Sequence, residues 1–188
     1  SIKKQSLPNY EHIVIDGGST DGTLEIIKNE KNITEWISEK DKGIYDAINK
    51  GLKISRGKYI NTINSGDYYY SHDSLKIIKD YFEKNDVSFI FGAVLKKKVF
   101  YKYEPNKMLW TFNFYPAHSS GFFIKKKAHD EIGNYNLRYP CSSDYDFFWR
   151  LIKKNKHKGL STKKNEIIGV FEPGGFSANY GVFKHIWE

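Results

Sequence analysis

The first 92 residues repeat one pattern three times: a short apolar run, a turn rich in Gly, Ser and Asp, then a stretch with helical spacing. "EHIVID" (11–16) reads as a short buried strand, and "DGTLEIIKN" (21–29) as the helix after it, with Asp21 at the N-cap. "TEWISE" (34–39) is a second strand. "GIYDAINKGLKIS" (43–55) then sets Ile44, Ala47, Ile48, Leu52 and Ile54 mostly along one helical stripe, and Gly57 follows its end. "KYINTIN" (58–64) is a third strand, "SHDSLKIIKDYFEKN" (71–85) a third helix and "VSFIFG" (87–92) a fourth strand. Strand and helix in alternation predict an α/β fold built on a parallel sheet with crossover helices.

The second half is less regular. "AVLKKKVFYKY" (93–103) alternates like an exposed strand, and "HSSGFFIKK" (118–126) reads as a strand entering a helix near "KKAHDEIG". "SSDYDFFWRLIKKN" (142–155) is a helix with an aromatic face, "NEIIGVFE" (165–172) a closing strand and "PGGFS" (173–177) a turn before a last helix. The expected layout is one domain over residues 1–188, a nucleotide-binding-like half (1–92) joined to a mixed half (93–188).

With 39% hydrophobic and 16% aromatic residues over 188 positions, the chain has the apolar content for a packed core. No run approaches the roughly 18 apolar residues of a membrane-spanning helix, and "SIKKQSLPNY" has no apolar stretch of the signal-peptide kind. Cys141 is the single cysteine, so an internal disulfide is excluded and a cytoplasmic setting is the simplest expectation. The net charge of +8 admits nucleic acid, an anionic membrane surface or a phosphorylated ligand. Only Arg56, Arg138 and Arg150 of the 30 basic residues are arginine, and no nucleic-acid-binding motif accompanies the charge. The densest basic runs, "LKKKVFYK" (95–102) and "IKKKAH" (124–129), read as solvated edges.

Open α/β sheets bind ligands outside the carboxyl ends of their strands. Asp16 closes the first strand, and "DGGSTDGT" (16–23) then offers flexible backbone and hydroxyls before a helix N-terminus, a setting that suits an anion. "EKDKGIYDA" (39–47) follows the second strand, and Asp67, in "NTINSGDYYY" (61–70), follows the third. A structural turn explains each of these taken singly. Three successive strand ends with carboxylates and glycines exceed what turns require. The first loop is neither a Walker loop nor G-x-G-x-x-G.

"EHIVIDGGSTDGTLEII", "WISEKDKGIYDAINKGLKISRGKYINTINSGDYY" and "SSDYDFFWRLI", in that order, resemble a family 2 glycosyltransferase of the GT-A fold, and most of all the bacterial branch that builds extracellular and capsular polysaccharides. The resemblance covers nearly all of residues 5–177. It implies a Rossmann-like, mostly parallel sheet flanked by helices, a nucleotide-sugar donor (a UDP-sugar first), a divalent cation (Mn²⁺ or Mg²⁺), a glycan or lipid-linked acceptor and an inverting mechanism. It also implies a cytoplasmic protein, with peripheral contact at the inner face of the membrane, and no nucleic-acid partner.

The same resemblance assigns roles. Asp16 contacts the base, with Gly17 and Ser19 in its loop; Asp41, Lys42 and Asn49 line the donor pocket; Ser65 and Asp67 belong to the D-x-D-like signature, Asp67 as the metal ligand. The family usually writes that signature Asn-Ser-Asp-Asp, whereas this chain has Asn64-Ser65-Gly66-Asp67. Asp144 matches the general base, while local residues alone favour a helix-end carboxylate that suits the macrodipole. Asp146, two residues on, points elsewhere on a helix. His118, Trp110 and the "EPGGFS" turn are further candidates near the acceptor or diphosphate, each with a structural reading beside it. The family normally opens with an "IIIPTYN"-type strand. "SIKKQSLPNY" matches the helix after it, so the resemblance implies a chain truncated at its start and a sheet lacking its first strand.

Overall fold

The structure, a computed structural model, describes residues 1–103 and 119–172. "IVID" forms β1 (Ile13–Asp16), whose apolar residues end at a buried carboxylate. After α1 (Thr23–Asn29) the chain returns as β2 (Glu35–Ser38), parallel to β1, and Asp16 stands opposite Ser38. α2 (Ile44–Ile54) packs on β1. The Ile15 side chain lies 3.3 Å from where a Cβ on Gly51 would stand, and Leu52 of the predicted stripe is buried. The helix cap falls one position later than predicted. The N-cap of α1 is Gly22, and Asp21 instead accepts from the Thr23 amide and hydroxyl in a local turn.

The remaining strands form two four-stranded sheets with mixed pairing. In the first, β3 (Tyr59–Asn61) and β5 (Phe89–Phe91) both run antiparallel to β8 (Phe122–Lys125), and β9 (Gly159–Ser161) runs parallel to β5. In the second, β10 (Ile167–Val170) lies between β4 (Tyr68–Tyr69), antiparallel, and β6 (Ala93–Leu95), parallel. β7 (Val99–Phe100) folds back on β6, so 93–103 is a hairpin turned over Lys96–Lys98 and not one exposed strand. Its first arm is core: Ala93 and Val94 are fully buried. Three consecutive lysines disguise the turn, because neither Gly nor Pro marks it.

The hydrophobic core divides on the faces of β5 and β8. Alternation sends Phe89, Phe91, Phe122 and Ile124 to one side, against Phe147, Phe148 and Leu151. Ile90 and Phe123 go to the other, against Ile78 and Phe82 of α3 (Ser74–Lys84). Phe122 meets Phe148 edge-on at 4.8 Å. Burying each such ring stabilises by roughly 1.5–3 kcal/mol, so this aromatic layer anchors the second half of the chain to the sheet. After α4 (Lys126–Ile132), the predicted helix 142–155 begins as α5 (Ser143–Phe148) and widens to a π-helix over Trp149–Lys154. The widened turn keeps Leu151 and Ile152 in the core while Arg150 reaches Asp146 at 2.8 Å and the Ile132 carbonyl at 2.7 Å. Among the described residues, no helix is long and apolar enough to cross a membrane.

Candidate functional site

Asp16 organises the loop after β1. Its Oδ2 accepts from the Gly18 amide (3.2 Å), the Ser19 amide (3.0 Å) and the Ser38 hydroxyl (2.7 Å), and its Oδ1 accepts from the Ser19 hydroxyl (2.5 Å). These bonds, the Ser19 and Ser38 hydroxyls foremost, hold the carboxyl at a pKa of about 2. The loop is thereby cinched to the end of β2. The next residue, Gly17, lets the Asp41 side chain come close: a Cβ there would stand 2.7 Å from Asp41 Oδ2, and the carboxylate would have to move aside. Asp41 in turn accepts from the Gly43 amide at 2.8 Å. Asp16, Gly17, Ser19 and Asp41 therefore form one connected surface, as the strand-end argument expects.

Lys42 is exposed beside it and donates its amide to Asp46 Oδ2. Asn49 is committed elsewhere. Its amide nitrogen donates to the Tyr135 carbonyl and its oxygen accepts from the Tyr135 amide, both at 2.9 Å. That bidentate pair fastens α2 to the segment before α5.

Tyr45, in the first turn of α2, links the first surface to Asp144. Its hydroxyl donates to the Cys141 carbonyl at 3.2 Å and hydrogen-bonds Asp144; burial, and then the Asp144 charge, push the phenol far above its ordinary pKa. Tyr45 stacks on Tyr135 at 5.5 Å, and Tyr135 stacks on Phe147 at 4.6 Å, so the first turn of α5 is set by aromatic packing. Asp144 is half-buried there, while Asp146 is paired with Arg150.

The third strand end differs. The Asp67 amide donates to the Asn64 carbonyl at 3.0 Å, closing a turn in which Gly66 has a φ of +93°, a conformation that favours glycine. Ser65 is exposed on that turn. Asn64 is fixed by the Ser119 hydroxyl at 2.9 Å. Asp67 Oδ1 accepts from the Glu172 amide at 3.2 Å, but Oδ2 is buried and has no hydrogen-bond partner. Burial, with the neighbouring Glu172 charge, raises the Asp67 pKa, opposed by the Glu172 amide and by Lys96. Among the described residues no hydrogen bond or ion pair joins Asp67 to Asp16 or Asp41, and no three His, Cys, Asp or Glu side chains converge as a cation cage.

The sequence profile of glycosyl transferase family 2 matches residues 1–139. The chain belongs to that family. A "PGL/p-HBAD biosynthesis glycosyltransferase" of Mycobacterium bovis is 28% identical over 156 residues, covering 78% of this chain and 60% of its own length. Among solved structures, S. aureus TarS in complex with UDP-GlcNAc matches 96% of this chain and 56% of its own at a TM-score of 0.68 and 15% identity. The mannosyltransferase PcManGT from Pyrobaculum calidifontis, in complex with GDP-Man and Mn²⁺, matches 99% and 53% at 0.67 and 15%. This chain thus spans little more than half the length of these proteins, and the shared fold is the GT-A fold.

Within this family 2 domain, two residues near the predicted site receive no role of their own from the sequence. Tyr45 lies within the 43–55 helix but off its apolar stripe, and Glu172 reads as the polar end of a strand and the start of the "EPGGFS" turn. Only the tertiary structure brings them to Asp144 and Asp67. His118, Trp110 and the "PGGFS" turn lie outside the described residues.

Proposed function

We propose that this chain is the catalytic region of an inverting, metal-dependent glycosyltransferase that moves a sugar from a nucleotide-diphosphate donor, a UDP-sugar, to a glycan or lipid-linked acceptor in cell-surface polysaccharide synthesis. Residues 1–92 hold the donor and 93–188 the acceptor, in one domain on the cytoplasmic side, with peripheral membrane contact through the basic surface. The observation that carries this reading is Asp67. A buried carboxylate oxygen without a partner costs free energy, and the chain keeps one where a cation would supply the missing interaction. An oxygen ligand of this kind suits Mn²⁺ or Mg²⁺, with diphosphate oxygens completing the shell. When bound, the cation neutralises charge on the departing nucleotide diphosphate. UDP-GlcNAc in TarS, and GDP-Man with Mn²⁺ in PcManGT, support the donor class.

Asp16 meets the base. An ionised carboxylate only accepts hydrogen bonds, and its Oδ1, engaged by Ser19 alone, keeps a lone pair for an imide N–H such as that of uracil. Gly17, Ser19, Asp41, Lys42 and Ser65 border the donor, and Asn49 acts by positioning through Tyr135. Asp144, held by Tyr45, takes the proton of the acceptor hydroxyl as that oxygen attacks the anomeric carbon opposite the leaving diphosphate.

Gly66, in place of the usual acid, favours a second reading, nucleotide binding without transfer. A panel of UDP- and GDP-sugars incubated with the protein and Mn²⁺, with released nucleotide measured, separates the two. Consumption of one donor is expected. Binding of UDP without consumption of any donor supports the second reading, and neither binding nor consumption sinks both.

A further inference from the structure

The positive charge of the chain is concentrated in two segments. Residues 93–103 and 149–165 hold 11 of the 30 basic residues and none of the 22 acidic ones. The rest of the chain, with 19 basic residues against 22 acidic, is net negative. The fold brings the two segments together. Tyr101, Lys102 and Tyr103 line an open groove of about 630 Å³ with residues 159–164, which carry β9 at the edge of its sheet. The lysines there lie on aromatic rings: Lys164 is 5.8 Å from the Tyr101 ring centre, Lys98 is 5.4 Å from that of Phe100 and Lys96 is 4.3 Å from that of Phe171. Among the described residues, the acids that reach these segments are engaged elsewhere. Asp146 holds Arg150, Glu131 lies 3.3 Å from His157 Nε2, and Glu166 accepts from the Lys163 amide and the Tyr81 hydroxyl.

A positive field without carboxylates to offset it attracts an anionic partner, and it repels a second copy of the same face. The chemistry favours a lipid surface over a nucleic acid. The cations are lysines, point charges on flexible stems, whereas the one arginine, which could grip a phosphate with two parallel bonds, is tied to Asp146. They stand on the hairpin tip (96–98), on the chain after β7 and on the turn after β9, spread along an edge of the molecule. Tyr101 is exposed among them, an amphipathic ring of the kind that settles at headgroup level. The face also adjoins the candidate site, because Lys96 lies over Phe171, the neighbour of the Glu172 amide that bonds Asp67. We infer that this face, the hairpin 93–103 with residues 159–164, seats the protein on an anionic phospholipid surface. The inference rests on the membrane contact of the proposed function and gives that contact a place, beside the site where a lipid-linked acceptor would react.

The test is co-sedimentation with vesicles of phosphatidylcholine alone and of phosphatidylcholine mixed with phosphatidylglycerol. Two variants of equal charge are compared with wild type. One carries Lys97→Gln, Lys163→Gln and Lys164→Gln on the face; the other carries Lys31→Gln, Lys53→Gln and Lys127→Gln, exposed lysines outside it. A lysine near an anionic surface strengthens binding about 5-fold, so the first variant should bind the mixed vesicles on the order of 100-fold more weakly than wild type. The second should bind them as wild type does, none of the three should bind phosphatidylcholine alone, and added salt should weaken the wild-type binding. Equal binding by all three proteins, or an equal loss in both variants, overturns the inference and leaves membrane contact through another surface standing. If wild type does not bind the mixed vesicles, membrane contact itself fails, and the inference with it. If wild type binds a single-stranded or duplex oligonucleotide in preference to the mixed vesicles, and the first variant alone loses that binding, the face is a nucleic-acid surface and the inference is overturned.

Discussion

Replacing Asp16 with Asn tests how the loop after β1 is held. The carboxylate accepts four hydrogen bonds from three residues. In the best arrangement the Asn oxygen keeps the three donors now on Oδ2, and the new NH₂ turns to the Ser19 oxygen. What is lost is the charge. A hydrogen bond to a charged group contributes about 1.5–3 kcal/mol, against about 0.5–1.5 for a neutral one. Three bonds weakened by about 1 kcal/mol each, reduced because Gly18 and Ser19 face solvent, give about 2 kcal/mol. The carboxyl pKa leads to the same size: lowering it from 3.8 to about 2 corresponds, at 1.36 kcal/mol per unit, to about 2 kcal/mol. For a chain of this size the melting temperature should fall by roughly 4–8 °C. The pH dependence has a definite sign. The folded pKa is depressed, so the contribution is complete above the ordinary value of 3.8 and is lost as pH falls towards about 2. Thermal melts of wild type and Asp16→Asn should therefore differ at neutral pH and converge as pH falls from about 5 to below about 2. Equal melting at neutral pH, or a gap that widens on acidification, would refute the reasoning.

Two more substitutions separate chemistry from scaffolding. Asp144→Asn should slow sugar transfer by about 10²–10⁴-fold while melting temperature and UDP affinity hold; a normal transfer rate with earlier melting would make Asp144 a helix-end charge. Asn49→Ala strips both partners from the Tyr135 backbone and should cost about 2 kcal/mol in denaturant unfolding with UDP affinity little changed. Weakened UDP binding with unchanged stability would instead put Asn49 in the donor pocket.

Strand ends were the legible part of this sequence. "IVID" and "KYINTIN" stop at small polar residues because a buried strand must end where a polar group can be satisfied, and the structure has β1 ending at Asp16 and β3 ending before the Asn64–Asp67 turn. The helix of residues 43–55 was equally plain, since five apolar positions at helical spacing admit little else. Local pattern fails where partners are distant. β4 and β9 are two and three residues long, stabilised by β10 and β5 respectively, and no window of sequence records those pairings. The 96–98 turn hides in lysines, and the π-helical widening at Trp149 follows from packing of Leu151 and Ile152 rather than from any residue's propensity. At the candidate site, carboxylates were visible because strand-end acids are unusual. Asn49 was a donor-pocket residue by resemblance, but an amide can pair with backbone as readily as with a ligand, and here it pairs with Tyr135.

The account turns on Asp67, and titration of UDP into the protein with and without Mn²⁺, in wild type and in Asp67→Asn, tests it most directly. Asn preserves the turn and the bond from the Glu172 amide but offers no anionic ligand. Wild type should bind UDP more tightly with Mn²⁺ than without, and Asp67→Asn should bind it at the metal-free affinity under both conditions while remaining folded. UDP affinity that is the same with and without Mn²⁺ in wild type and mutant alike would contradict the account.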